Sequence, residues 1–313
     1  MEQTKAFFKI IDELCEEKNI KQKYLSYGWI RELKKGEKSH YIMRYQFDLN
    51  SSISFNIAND KFATYEVLKS NNLPIIEHKM IFNPETRSNY YEKQFISQAK
   101  ELLKNNGNKI VIKANNSCQG KDVYYCSTEE EIEKIVNKLF IEKNDTLSAC
   151  PFLNIDFEYR VVYLCGEILF IYKKRKPFVV GDGSKTLQEL INIKKQVYPN
   201  MILLNDLDLS YIPKPNEEVI ISWKHNLSGG AVPILLKEDD EYQEEVKKIA
   251  LATGDAMNIK FATIDIAVTE KKEILVMEVN ASVCMNKFSE IVPGGYEISK
   301  NIYSKAIDKM FEE

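Results

Sequence analysis

Near the C-terminus two apolar runs, FATIDIAV (261–268) and EILVMEVN (273–280), are joined by a short polar stretch and carry acids where a buried strand would have none. In the first, Ile264, Ile266 and Val268 fall on one face and Asp265 on the other; in the second, Glu278 and Asn280 share a face. A turn over 270–273 makes the two an antiparallel pair, and placing Thr269 against Ile274 brings Asp265 directly opposite Glu278. The pairing is tightly constrained, because a slip of one residue moves every apolar side chain from core to solvent. Two carboxylates about 4 Å apart repel by roughly 4 kcal/mol at an effective dielectric near ~20. A face that collects them therefore wants a divalent cation, and oxygen-only donors favour Mg²⁺, with Mn²⁺ as the alternative. Mg²⁺ fills the rest of its octahedron with water and nucleotide phosphates, so Asp265, Glu278 and Asn280 are read as holders of a metal–nucleotide. The competing reading is a solvated hairpin face, since acids on exposed strands are common.

The remainder of the chain is suited to burying a core. Its 313 residues are 44% hydrophobic, and a formal net charge of -3 sets up no field that would mark a nucleic-acid or membrane-surface binder. No apolar run approaches the ~20 residues a membrane helix needs. Six cysteines show no CxxC pair, and nothing at the start reads as a signal peptide, so the expectation is a reducing cytoplasm. Three scattered histidines argue against a zinc site of the usual kind.

Along the chain, residues 4–17 have the apolar spacing of an amphipathic helix (Phe7, Ile10, Ile11, Leu14), and the Tyr- and Ser-rich stretch 23–58 suggests strands or an extended arm. From Asn59 an Asn/Asp cap, an apolar stripe and Pro74 predict a capped helix. A helix over 91–104, the strand KIVIKAN, a polar loop at 115–121, the strand DVYYC and a helix opened by a Ser127–Glu130 capping box follow. EYRVVYLCG and EILFIYKKR flank Gly166 as a hairpin; VVGDGS then turns into a helix around TLQELINIKK, and another helix spans 240–257. Strands and helices mix without regular βαβ alternation, which predicts an α+β fold.

A polyanion also needs cations and backbone donors. Lys61 opens a capped helix, Lys113 ends a strand, and Ser117 and Gly120 lie in the small polar loop, where glycine lets the backbone approach phosphate. Taken singly, such lysines are most often solvated surface residues. In YKKRK (172–176) alternate side chains face opposite ways, which argues against a nucleic-acid patch; Arg175 is the favoured phosphate or carboxylate contact. WKHNLSGG (223–230) offers a lysine, His225, Asn226 and two glycines in one loop suited to closing over a reacting centre, or else a plain glycine-rich turn.

Together these pieces resemble the ATP-grasp superfamily, in particular the carboxylate-amine ligase branch that includes the ATP-grasp modules of cyanophycin synthetase and bifunctional glutathione synthetases. The likeness runs in order through SISFNIANDKFATYEVLKSNNLP, VIKANNSCQGKDV, EYRVVYLCGEILFIYKKRKPFVVGDGSKTLQELI, NLSGGAVP and ATIDIAV…VMEVNAS. The resemblance implies two subdomains gripping ATP, with 1–58 as a short N-terminal segment. Residues 59–313 form the ATP-grasp domain, with a lid at about 109–150, a hinge at 151–153 and a catalytic part over 154–313. It implies that Lys61 and Lys113 contact phosphates, with Ser117 and Gly120 in the loop that closes over them. The backbone of Pro151, Phe152 and Leu153 reads adenine, Glu158 contacts ribose or nucleotide, Arg175 and Asn226 lie near the transferred phosphate and acyl group, and Asp265, Glu278 and Asn280 bind Mg²⁺. The chain departs from the pattern at SACPFL, where relatives often place an acid before the hinge, and at ASVCMN, where they often carry proline and glycine. The segment before Lys61 is shorter than the usual N-terminal domain, and no Mur-ligase-like domain follows.

The implied reaction converts a small carboxylate to an acyl phosphate, which an amine then displaces. His225 is a candidate to help deprotonate that amine; Cys284 is read as a pocket-lining thiol. A peptide or protein acceptor, docked on the N-terminal segment, and a nucleotide-binding module without turnover stand as alternatives. The oligomeric state is open, a symmetric dimer being the commonest default.

Overall fold

The computed structural model describes residues 5–87, 96–116, 122–142, 145–204 and 206–312. Phe7, Ile10, Ile11 and Leu14 are buried on one side of α1 (Ala6–Glu17), as their helical spacing requires. The Tyr-rich stretch that follows is a four-stranded antiparallel meander, β1 (Lys21–Leu25), β2 (Ile30–Lys35), β3 (Lys38–Met43) and β4 (Gln46–Phe47), in chain order. Two short helices come next, α2 (Ser52–Asn59), capped by Ser51, and α3 (Lys61–Ser70), where Asp60 Oδ1 accepts from the Ala63 amide at 2.8 Å.

A second four-stranded sheet, of order β5-β8-β6-β7, is made by β5 (Lys79–Phe82), β6 (Ile110–Ala114), β7 (Val123–Cys126) and β8 (Thr146–Pro151). Between these strands run α4 (Pro84–Arg87), α5 (Ile96–Asn105) and α6 (Glu129–Ile141). Leu102, Leu103, Ile132, Val136 and Leu139 of α5 and α6 pack on Ile110, Ile112, Leu147 and Ala149. That leaves Val111, Lys113, Ser148 and Cys150, one residue out of phase, on the opposite face. The cap of α6 lies one residue beyond its expected place: Thr128 accepts from the Glu131 amide, and the Glu131 carboxylate accepts from the amide of Ser127, the residue before the cap, at 2.7 Å, in place of the reciprocal bond of a capping box.

The central sheet has order β13-β10-β9-β14-β15 and is antiparallel throughout. Its first two strands, β9 (Ile155–Leu164) and β10 (Glu167–Arg175), form the expected hairpin around Cys165 and Gly166, both left-handed as a two-residue turn requires. A small unit follows, in which β11 (Phe178–Val180) pairs with β12 (Glu218–Ile220) beside α7 (Leu187–Val197), and Thr186 and Glu189 complete a capping box. Gly181 sits so close to the next loop that a Cβ would lie 2.2 Å from the Lys214 carbonyl oxygen. The chain ends with β13 (Val232–Leu235), α8 (Gln243–Ala256), β14 (Phe261–Thr269), β15 (Ile274–Asn280), α9 (Asn286–Ile291) and α10 (Gly295–Glu312).

One face of the central sheet is apolar and packs against α8: Tyr159, Val161, Ile264, Ile266 and Val276 meet Val246, Ile249 and Ala250. One end of the other face is covered by α1, α9 and α10, where Phe7 and Tyr303 stack edge to face at 5.0 Å above Phe261 and Val162. Each such fully buried aromatic stabilises the fold by roughly 1.5–3 kcal/mol. The rest of that face is left for charged side chains. Among the described residues no helix is long and apolar enough to cross a membrane.

Candidate active site

Asp265 and Glu278 do lie opposite each other across β14 and β15. The expected turn register is wrong by one residue, for Val268 rather than Thr269 pairs with Ile274, and a bulge between Asp265 and Ile266 makes up the difference. Met277 is the extra residue, so it joins Glu278 on the same side, and Asn280, opposite Thr263, lies one pleat further along.

Next to Asp265 on β9 is Arg160, and the two are locked by a fork: Nε donates to Oδ1 at 2.8 Å and Nη2 to Oδ2 at 2.6 Å. One pleat along, Glu158 lies opposite Lys174 of β10, and the Lys174 ammonium pairs with Glu158 and lies 3.3 Å from Asp265 Oδ1. Lys174 is 2% exposed, Asp265 4% and Glu158 9%, so these charges exist only as a network. Burial alone would raise the Asp265 pKa, but Arg160 and then Lys174 outweigh it and bring the group down to about 2. Burial raises Glu158, aided by the nearby Asp265. His225 closes the group with Nδ1 3.9 Å from Glu158 Oε2; its Nε2 is sealed from water and has no hydrogen-bond partner among the described residues. Burial, then Lys174 and Lys176, lowers its pKa to about 3.

Above this face lies the inner side of the β5–β8 sheet. Lys61 and Lys113 are both buried, Lys61 Nζ donating to the Asn115 carbonyl at 3.1 Å. Their common neighbourhood is shown by two buried groups: after burial itself, Lys113 and Lys61 are what lowers the pKa of His78, and both act on Cys150. His78 Nδ1 is 2.5 Å from Ser148 Oγ, and Ser148 pairs with Lys113 across β6 and β8. Beside the lysines an apolar cluster spans the two sheets, with Val111 and Cys150 from one, Leu275 and Met277 from the other, and Phe152, Leu153 and Trp223 between them. Phe152 stands edge-on to Tyr125 and Trp223, at 5.1 and 5.5 Å. Lys224 ties the loop after Trp223 to the upper sheet by donating to the Val123 carbonyl at 3.0 Å, and burial drops its pKa to about 8.

The expected site residues thus fall into two groups, Lys61 with Lys113 beside the upper sheet, and Glu158, His225 and Asp265 at the central one with Glu278 and Asn280 on the neighbouring strand; the apolar cluster that includes Phe152 and Leu153 joins the strands that carry Lys113 and Glu278. Asn226 caps the short turn Leu227–Gly229, with Oδ1 accepting from the Ser228 amide, and so shapes the loop beside them. Arg175 is placed elsewhere: β10 alternation turns it away from Lys174, and its guanidinium pairs with Glu218 at 2.6 Å and packs on Phe178. Ser117 and Gly120 lie outside the described residues. Sequence reasoning missed Arg160 and Lys174, the two cations that hold the site face together. The alternation of EYRVV and YKKR contained the signal, but only the strand order β10-β9-β14 shows what they face.

Among the described residues no group of three or more His, Cys, Asp or Glu is placed to hold a metal. Asp265, Glu278 and Asn280 are instead a set of two carboxylates and an amide on one strand pair, and oxygen donors of that kind fit Mg²⁺ completed by phosphate and water.

Residues 222–305 match the model of the RimK-like ATP-grasp domain, a span that includes His225, Asn226, Asp265, Glu278 and Asn280. The D-alanyl-alanine synthetase A of Vibrio cholerae superposes with a TM-score of 0.62 over 97% of this chain and 91% of its own, at 12% identity. The fold is the ATP-grasp fold. Two further ATP-grasp neighbours agree: a bifunctional glutathione synthetase from Pasteurella multocida (TM-score 0.56, 17% identity, 96% of this chain and 44% of that one) and a D-alanine–D-alanine ligase from Bacillus anthracis (0.54, 16%, 84% and 69%). In sequence, a glutathione biosynthesis bifunctional protein of Clostridium perfringens is 25% identical over 267 residues, which are 77% of this chain and 32% of that protein. An uncharacterized protein of Mycoplasma genitalium is 31% identical over 119 residues, 38% of this chain and 33% of its own. The chain thus spans about a third of the length of the curated relatives it matches.

Proposed function

We propose that this ATP-grasp protein is an ATP-dependent carboxylate–amine ligase that joins an amino acid or a small peptide-like acid to an amine. The observations that support the reading are the pairing of Asp265 with Glu278, two buried lysines, and an apolar cluster joining the strand that carries Lys113 to the strand that carries Glu278 and Asn280. In this reading the unit built on β5–β8 is the lid, 151–153 the hinge and the remainder the catalytic part. Adenine enters between Phe152, Leu153, Met277 and Leu275, and the backbone at 151–153 supplies its polar contacts. Lys61 and Lys113 take phosphate oxygens, and their burial makes each contact stronger than it would be in water.

A substrate carboxylate oxygen attacks the γ-phosphorus, the bond to the β-bridging oxygen breaks, and ADP leaves. The amine nitrogen then attacks the acyl carbon, phosphate departs with the bonding pair, and the amine proton passes to solvent or a nearby base. When bound, Mg²⁺ supplies charge neutralisation for the phosphoryl group in flight. Arg160, oriented by Asp265, is the cation best placed to meet the carboxylate or the developing oxyanion. Arg175 would first have to leave Glu218. The loop at 222–230, anchored by Lys224 and shaped by Asn226, excludes water from an intermediate that would otherwise hydrolyse.

An acyl phosphate is trapped by hydroxylamine. Incubating the protein with Mg²⁺·ATP, a panel of amino acids and hydroxylamine should yield a hydroxamate with matching ADP; ATP bound but never consumed across the panel would favour a binding module. The meander leaves Tyr27, Trp29, Tyr41 and Met43 exposed, which supports a peptide as the acceptor in a second reading. Turnover with peptides but not with free amino acids would select it.

A further inference from the structure

The centre of the charged sheet face is filled by an ammonium. Lys174 Nζ stands between Glu158 and Asp265, paired with the first and 3.3 Å from Oδ1 of the second. Arg160 meanwhile takes both oxygens of Asp265, at 2.8 and 2.6 Å. Each Asp265 oxygen therefore faces a cation already, and Asp265 is the carboxylate that a metal shared with Glu278 would need. Two carboxylates (Glu158 and Asp265) meet two built-in cations (Arg160 and Lys174), so of the Asp265–Glu278 pair the Asp265 side has no unbalanced charge to attract a bare divalent ion. A triphosphate alters that balance, since its oxygens can take over the ammonium and guanidinium while it carries the metal in.

We propose that Lys174 is an internal counter-cation that keeps the Asp265–Glu278 face from holding a divalent cation until a nucleoside triphosphate brings one. The metal is then a co-substrate and not a resident ion. The inference rests on the metal–nucleotide reading of Asp265, Glu278 and Asn280. Its chemistry follows from geometry: an ammonium buried to this degree is stable only where carboxylates surround it, and those carboxylates would repel one another without it.

The test is Mn²⁺ binding to the full chain without nucleotide, with the free ion followed by electron paramagnetic resonance. Wild type and Lys174→Arg should bind weakly. Lys174→Met should bind at least about tenfold more tightly, as should Glu158→Gln/Lys174→Met, which removes Glu158 together with its cation and leaves Asp265 on Arg160 if the single variant folds poorly. Adding Asp265→Asn to either should erase the gain. Wild type holding Mn²⁺ alone as tightly as these variants, or no gain in a variant with a cooperative melting transition, overturns the proposal. Binding of Mn²⁺·ATP, read by water proton relaxation, separates the two layers. If Asp265→Asn abolishes it while the Lys174 variants gain nothing, only the counter-cation idea falls; if Asp265→Asn leaves it unchanged, the metal–nucleotide reading falls as well.

Discussion

At the scale of single residues, burial decides what each titratable group can do. His225 is neutral at pH 7 because burial and two lysines hold its pKa near about 3. As a general base for an incoming amine it is therefore poorly matched to neutral pH. In the unfolded chain the same ring titrates near ~6.5, so as pH falls below that value the unfolded state takes up a proton that the folded state refuses. For His225 stability is full above about pH 6.5 and should drop by roughly 1.4 kcal/mol per pH unit toward pH 3. His78, with its pKa also well below normal, adds to the same slope. Urea midpoints between pH 7 and 4 should fall, and fall less in His225→Gln; an identical slope in that variant would show a ring that protonates freely in the folded protein. Asp265 acts in the same direction at lower pH: its pKa is also depressed, so its contribution is present above the unfolded carboxylate value and disappears as pH falls toward about 2. Arg160→Ala strands Asp265 with only Lys174 and should cost about 3–5 kcal/mol in chemical denaturation. A loss below about 1 kcal/mol would mean that water reaches the carboxylate.

At the scale of elements, two local devices set the site's geometry. The bulge at Met277 puts an apolar side chain and Glu278 on the same side, joining the proposed adenine slot to the proposed metal ligands. The cap at Asp60 starts α3 at Lys61, so Asp60→Ala should cost about 1 kcal/mol and weaken ATP binding together, whereas a cap with no bearing on the site would change only the first. Gly181→Ala forces a Cβ against the Lys214 carbonyl and should destabilise by more than about 2 kcal/mol, seen as a lowered melting temperature. The elements with clear periodicity, α1, α3, α7, the β9–β10 hairpin and the β14–β15 pair, were legible in the sequence. Strand β8 was not, because SACP lacks the large β-branched residues that mark a strand, although four of its six residues are buried. The Asp265–Glu278 pairing was legible because a hairpin is local. Arg160 and Lys174 were not, because their partners depend on β9 lying between β10 and β14, a neighbour relation no local pattern encodes.

At the scale of the molecule, two sheets meet along an apolar seam and each turns its charged residues toward the other. The upper sheet contributes Lys113, with Lys61 of α3 beside it, and the central one the Arg160–Asp265–Lys174–Glu158 network. The segment at 74–76 runs beside β15, bonded through Val276 N to the Pro74 carbonyl and Ile76 N to the Val276 carbonyl, so the edge that carries Glu278 is covered. The apolar seam already joins the sheets, and in the proposed reading a ligand of opposite charge pattern lies between their charged faces. The most direct test is ATP consumption by the wild-type chain and by Asp265→Ala/Glu278→Ala, measured as phosphate release with Mg²⁺, a carboxylate and an amine. The account predicts a loss of at least about a hundredfold in a variant that still melts cooperatively, and phosphate release by that variant at the wild-type rate would contradict it.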